Sequence, residues 1–225
     1  MAGKPPSWKT VRDQRRKENF VGRGDQLRAF SDNFTDDVPS YMVFAVTGEG
    51  GVGKSTLLKQ FETIACSPAI NANVIICDDR QTSPVAVMGY VADQLEKLHI
   101  SHKEFDERHK KYREMRQEIE GDPKVPRGWV DLLTLGVSDF TIKSLRKSPG
   151  VGVLFEYADE KAAGEALAQM VNYGINRWGN KDEVQLLREP ERALTPLFLE
   201  LLAKAYEKQR LVLMFDVFER TSATL

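Results

Sequence analysis

Apolar positions recur along this chain with two periods, and the changes between them predict alternating strands and helices. From Asp25 to Phe34, the residues Leu27, Phe30 and Phe34 fall at helical spacing, which predicts a short amphipathic helix; Pro39 closes the connection behind it. Tyr41-Met42-Val43-Phe44-Ala45-Val46 is a charge-free, β-rich run of strand length, the pattern of a strand buried on both faces of a parallel sheet. A glycine-rich stretch leads from it into Lys54 to Ala65, which reads as helix. Asn73-Val74-Ile75-Ile76-Cys77 repeats the buried-strand pattern, and Ser83-Pro84 starts a helix running to about Leu98, with the proline in its first turn. Strand, helix, strand, helix in this order predicts right-handed parallel crossovers.

A long charged helix is expected from about His102 to Glu120, because Phe105, Tyr112, Met115 and Ile119 form one stripe, and Gly121-Asp122-Pro123 ends it. From Val125 to Gly150 the apolar residues Trp129, Val130, Leu132, Leu133, Leu135 and Val137 are interrupted by Asp131 and Gly136, which predicts a mixed helical and loop insertion. Ala162, Ala163, Ala166, Leu167, Met170, Val171 and Gly174 predict a helix with a small-residue face, and Leu194 to Lys208 predicts another. The last strand is Leu211-Val212-Leu213-Met214-Phe215, and it runs into Asp216.

Composition narrows the classes. The 225 residues are 41% apolar and 29% charged, enough to bury a core, so disorder throughout is excluded. Lys and Arg number 32 against 33 Asp and Glu, so no global field steers the chain onto nucleic acid or an anionic membrane. Any such partner needs a local patch, and the basic residues Lys4, Lys9, Arg12, Arg15, Arg16, Lys17 and Arg23 near the N-terminus are the one candidate. Cys66 and Cys77 are too few and too widely spaced for a disulfide framework or a zinc motif, and read as buried thiols in a reducing compartment. The polar, proline-bearing start is no signal sequence, and no apolar run is long enough to span a bilayer; a soluble, cytoplasmic protein with no membrane partner is expected.

The chemistry is concentrated in Gly48-Glu49-Gly50-Gly51-Val52-Gly53-Lys54-Ser55, with Thr56 behind it, which matches G-x-x-x-x-G-K-[ST] between a predicted strand and a predicted helix. Glycines let successive backbone N–H groups turn inward around phosphate oxygens, and the helix start adds its positive dipole end. Lys54 is the residue to supply a point charge to the β and γ phosphates, and Ser55 a hydroxyl to Mg²⁺. An apolar strand ending in an acid is common by itself. Paired with the glycine loop, Leu211 to Asp216 reads as a strand carrying a carboxylate to the ligand-binding edge of a parallel sheet, with Asp216 holding Mg²⁺ through a water. Glu219, three residues on, is a general-base candidate if the chain turns sharply there. Asp78, Asp79 and Arg80 follow the second strand at the same edge, where charged loop residues are also ordinary. His99, His102 and His109 lack zinc spacing and read as solvated surface histidines.

Together, Phe20-Val21-Gly22-Arg23, the glycine loop and Phe215-Asp216-Val217-Phe218-Glu219-Arg220-Thr221 resemble the bacterial STAND ATPases, signal-transduction relatives of the AAA+ and NB-ARC modules. The resemblance implies an α/β fold, a three-layer P-loop NTPase with a parallel sheet and a mostly helical insertion between the Walker A and Walker B motifs. It implies an ATP-driven switch, closed with ADP and open with ATP, inside a larger protein with further domains or protein partners, and a nucleotide-dependent oligomer. By the same analogy Val21, Gly22 and Arg23 lie near the adenine and ribose. The expected organisation is a basic leader over 1–19, the first part of the core over 20–98, the insertion over 99–190 and the Walker B part over 191–225.

Three departures qualify this. Val217 stands where related ATPases often place a catalytic carboxylate directly after the metal-binding Asp, leaving slow hydrolysis or use of Glu219 as the alternatives. The stretch from Lys54 to Asp216 is about twice as long as a compact family member has. The family's strand between the glycine-loop strand and the Asp216 strand comes later in sequence, with the sensor residues, so the chain is expected to be a fragment or to fill the gap from its insertion. Two other functions stay open: an AAA+ ATPase acting on nucleic acid through the basic leader, and a small-molecule P-loop kinase with the inserted helices as a lid. A binding-only remnant is the last alternative.

Overall fold

A computed structural model describes residues 22–35, 39–123, 125, 172–179 and 181–216. These fall into two units, one of residues up to Asp79 together with those from Tyr206 onward, the other of Arg80 to Ala205.

The first unit contains α1 (Gly24–Asp32), α2 (Lys54–Ala65), β1 (Asn73–Cys77) and β2 (Leu211–Phe215). In α2 the buried residues Leu57, Phe61 and Ala65 lie four apart, so one helical stripe faces the core. In α1, Phe30 is buried and stacks on Phe61 of α2 with ring centroids 4.2 Å apart and planes within 15°. The strands β1 and β2 pair in parallel, with Val74 opposite Val212 and Ile76 opposite Met214. Those four side chains share one face and pack on the cluster of Phe30, Leu57, Phe61, Ala65 and Ala72; Ile75 and Cys77 are buried on the other. The ladder continues at both ends, where Asn73 N–H donates to Arg210 O at 2.8 Å and Asp216 N–H to Cys77 O at 2.9 Å.

The segment Tyr41–Val46 corrects the expectation of a strand buried on both faces. It has no ladder partner among the described residues, and Tyr41, Met42 and Val43 are exposed. Of this segment only Phe44 and Val46 pack against the core cluster. An amide side chain takes the role of a neighbouring strand at one residue: Asn33 Nδ2 donates to Tyr41 O at 2.9 Å, and Tyr41 N–H donates to Asn33 Oδ1 at 2.8 Å. An apolar run reports that a segment meets the core; it does not report which backbone will pair with it.

The second unit is helical in its described part, with α3 (Pro84–Lys97), α4 (Lys103–Gly121), α5 (Lys181–Arg188) and most of α6 (Pro190–Lys208). Ser83 Oγ caps α3 by accepting from Ala86 N–H at 3.2 Å, with Pro84 in the first turn, where its missing N–H costs nothing. In α4 the stripe of Phe105, Tyr112, Met115 and Ile119 is buried as its spacing requires. Phe105 meets Phe198 of α6, and Lys204 Nζ donates to Ser101 O at 2.7 Å. The insertion expected over Val125 to Gly150 lies outside the described residues save Val125; of the helix expected over 162–174, only its end is described, within helical residues 172–178. No described helix is long and apolar enough to cross a membrane.

Candidate functional site

The loop Gly48–Gly53 leads into α2, and its backbone needs conformations that side chains resist. Gly51 has φ 83° and Gly53, the N-cap of α2, has φ 87°, the left-handed region in which a Cβ is strained. Glycine at these two points therefore lets the chain reverse and present N–H groups at the start of a helix, where four such groups have no partner within the helix.

Lys54 is the first residue of α2, and its ammonium folds back over the loop. Nζ donates to Gly48 O at 2.8 Å and to Glu49 O at 3.3 Å, so a positive charge is held against the start of the loop. One residue on, Ser55 Oγ donates to Asp216 Oδ1 at 2.9 Å across 161 positions of sequence. Asp216 is held there by β2, whose last residue Phe215 pairs with Cys77, and by its own N–H on Cys77 O. The parallel ladder thus brings the end of one distant segment against the first turn of α2.

Ser55 and Asp216 fit Mg²⁺. A hydroxyl and a carboxylate oxygen within 2.9 Å of one another form a hard-oxygen corner, of the kind that holds Mg²⁺ together with waters and substrate phosphates. Among the described residues there is no cluster of three His, Cys, Asp or Glu that would hold a metal without such help. Asp78 follows Cys77 at the edge where Asp216 follows Phe215, so a second carboxylate stands at the end of the sheet. Burial, and then the Asp78 charge, push the Cys77 thiol up to about 11.

Of the residues singled out from sequence, Gly48, Glu49, Lys54, Ser55 and Asp216 are joined by these hydrogen bonds. Gly50, Gly51, Val52 and Gly53 complete the same loop, and Thr56 lies in the first turn of α2. Gly22 and Arg23 precede α1, and Arg23 turns onto the loop itself: one of its guanidinium nitrogens donates to Val52 O at 2.9 Å. Val21 and Glu219 lie outside the described residues. The histidines are not all solvated, contrary to the sequence reading. His109 is packed between α3 and α4 and stacks on Phe105, and His102 Nδ1 caps α4 while its Nε2 faces Glu200 at 3.1 Å. Sequence reasoning missed the Arg23–Val52 contact, which joins residues 29 apart with no motif linking them.

A strand-end carboxylate, a glycine loop and a lysine converge in this way on a helix start, and the comparisons with known proteins agree. The family model of the AAA ATPase domain matches residues 19–224. No curated protein and no solved structure matches the chain. The match spans nearly the whole chain, both motifs included, and the chain belongs to the AAA ATPase domain family, the P-loop ATPases of the AAA+ type.

Proposed function

We propose that this chain is the nucleotide-binding switch module of a STAND-type signalling or defence ATPase, taking ATP with Mg²⁺ and hydrolysing it slowly. The observation that carries the reading is the 2.9 Å hydrogen bond from Ser55 to Asp216, which assembles a cation corner at the N-terminus of α2 from two distant motifs. The Phe20 to Arg23 run and the Phe215 to Thr221 run favour the STAND class over other P-loop ATPases.

In this reading the loop N–H groups and Lys54 bind and orient the β and γ phosphates. Mg²⁺, when bound, neutralises charge on the phosphate oxygens. Ser55 and Asp216 exchange their mutual hydrogen bond for the cation and its waters, so the corner is pre-formed and little side-chain ordering remains. Val217 is no base, and Glu219 is the candidate to polarise the attacking water; slow turnover follows from a base two positions beyond the usual place. Residues 99–190 are an insertion between the two motifs, the cytoplasm is the setting, and further domains or protein partners receive the nucleotide signal.

The test is Asp216→Ala. Its ATP affinity in Mg²⁺ is expected to fall to the value the wild type shows in EDTA, because the carboxylate contributes only when the cation is present. A Mg²⁺ dependence equal to that of the wild type would remove Asp216 from the site.

A further inference from the structure

Besides Lys54, which holds the start of the loop at Gly48 and Glu49, the Arg23 side chain holds its backbone at Val52, and it does so from a distant part of the sequence. Its own backbone is fixed first. With φ 58° and ψ 25° it occupies the left-handed region, sparsely used by residues with a Cβ, and its carbonyl accepts the first bond of α1 from Leu27 N–H at 3.1 Å. The helix it caps is anchored in turn, since Phe30 stacks on Phe61 of α2. The guanidinium then reaches across to Val52 O at 2.9 Å.

That bond has a stereochemical consequence. The Val52 carbonyl and the Gly53 N–H belong to one planar, trans peptide and point in opposite directions. A guanidinium that grips the oxygen therefore fixes the direction of the N–H, away from Arg23. Gly53 has φ 87°, and its lack of a Cβ leaves this peptide free to rotate unless something outside the loop restrains it.

We propose that Arg23 is a positioning residue that sets the Gly53 amide through the Val52 carbonyl, and so tunes affinity for the polyphosphate chain of a nucleotide and not for its base or sugar. The proposal rests on the nucleotide-site reading above, and it departs from the placement near adenine and ribose that the sequence resemblance implies.

The experiment compares the wild-type chain with Arg23→Ala, Arg23→Lys and Lys54→Ala. Affinities for ATP and for inorganic tripolyphosphate in Mg²⁺ are measured by calorimetry, and the Gly53 amide nitrogen resonance is followed in the nucleotide-free chain. Loss of one charge-assisted hydrogen bond predicts that Arg23→Ala weakens both ligands by the same factor, about tenfold. Arg23→Lys restores most of the affinity, because one carbonyl needs only one donor. The Gly53 nitrogen resonance moves in Arg23→Ala before any ligand is added. Tripolyphosphate affinity left intact while ATP affinity falls would overturn the proposal and return Arg23 to the base; an unmoved Gly53 resonance would overturn it as well. Lys54→Ala separates the two levels: if it binds both ligands as the wild type does, the site reading itself fails, whereas loss in Lys54→Ala with no change in Arg23→Ala leaves the site standing and removes only the role of Arg23.

Discussion

The two cysteines, alike in sequence, part in the structure: Cys66 is exposed at the end of α2 and Cys77 is buried at the end of β1. Burial and the neighbouring Asp78 raise the Cys77 thiol from 9.0 to about 11. The unfolded chain therefore releases this proton near 9.0 while the folded chain keeps it to about 11, so stability falls as pH rises through that window. Urea unfolding at about pH 8 and about pH 10.5 is expected to show this loss in the wild type and a smaller loss in Cys77→Ala. A thiol reagent at the lower pH should modify Cys66 alone; equal rates at both thiols would contradict the burial. That Ser55 and Asp216 meet beside Lys54 was legible in the sequence, because a glycine loop ahead of a helix and an acid at the end of an apolar strand are both marked by local pattern. The partner of Arg23 and the pairing of Asn33 with Tyr41 were not, because each depends on where separate segments meet in space.

Among the elements, α3 and α4 meet closely at Gly89 and His109. A Cβ at Gly89 would lie 2.5 Å from His109 Cε1 and 2.7 Å from Nε2. The ring has little room to yield, since it stacks on Phe105 with centroids 5.5 Å apart, and its burial holds the imidazole below the usual histidine range. Gly to Ala within a helix ordinarily gains up to about 1 kcal/mol. Here overpacking reverses the sign, and Gly89→Ala is expected to lose roughly 1–3 kcal/mol in denaturant titrations, with the double variant Gly89→Ala/His109→Ala less affected than additivity predicts. A stabilised Gly89→Ala would show that the helices do not approach so closely. At this scale the sequence was most informative: α2, β1 and β2 have the expected bounds, because in each an apolar pattern is set off by glycine or polar residues. The helix α6 begins at Pro190, ahead of the expected Leu194, and contains Pro196, a residue that ordinarily argues for a break. The helix α5 has only 8 residues, and Val184, Leu186 and Leu187 do not repeat over enough turns to mark a period.

For the whole molecule, a ligand that binds only the folded chain must stabilise it, by about 2.7 kcal/mol at a free concentration 100-fold above its dissociation constant. ATP with Mg²⁺ is therefore expected to raise the thermal midpoint of the first unit's unfolding in the wild type and to leave Lys54→Ala unmoved; an equal shift in both would place the ligand elsewhere. The division into two units was only partly visible in sequence. Helical stripes separate the two motifs, and their length signals added structure, but a stripe shows that a helix is buried without naming the helix that buries it. The acid at the end of β2 was legible as such, while the lack of a ladder partner for Tyr41–Val46 among the described residues was not, since an apolar run does not report backbone pairing. The most direct measurement is calorimetric titration of the 225-residue chain and its Lys54→Ala variant with ATP, ADP and GTP in Mg²⁺, with phosphate release followed on the same samples. The account predicts saturable, adenine-selective binding that Lys54→Ala abolishes, with little phosphate released; no binding by the wild type, or equal binding by both chains, would contradict it.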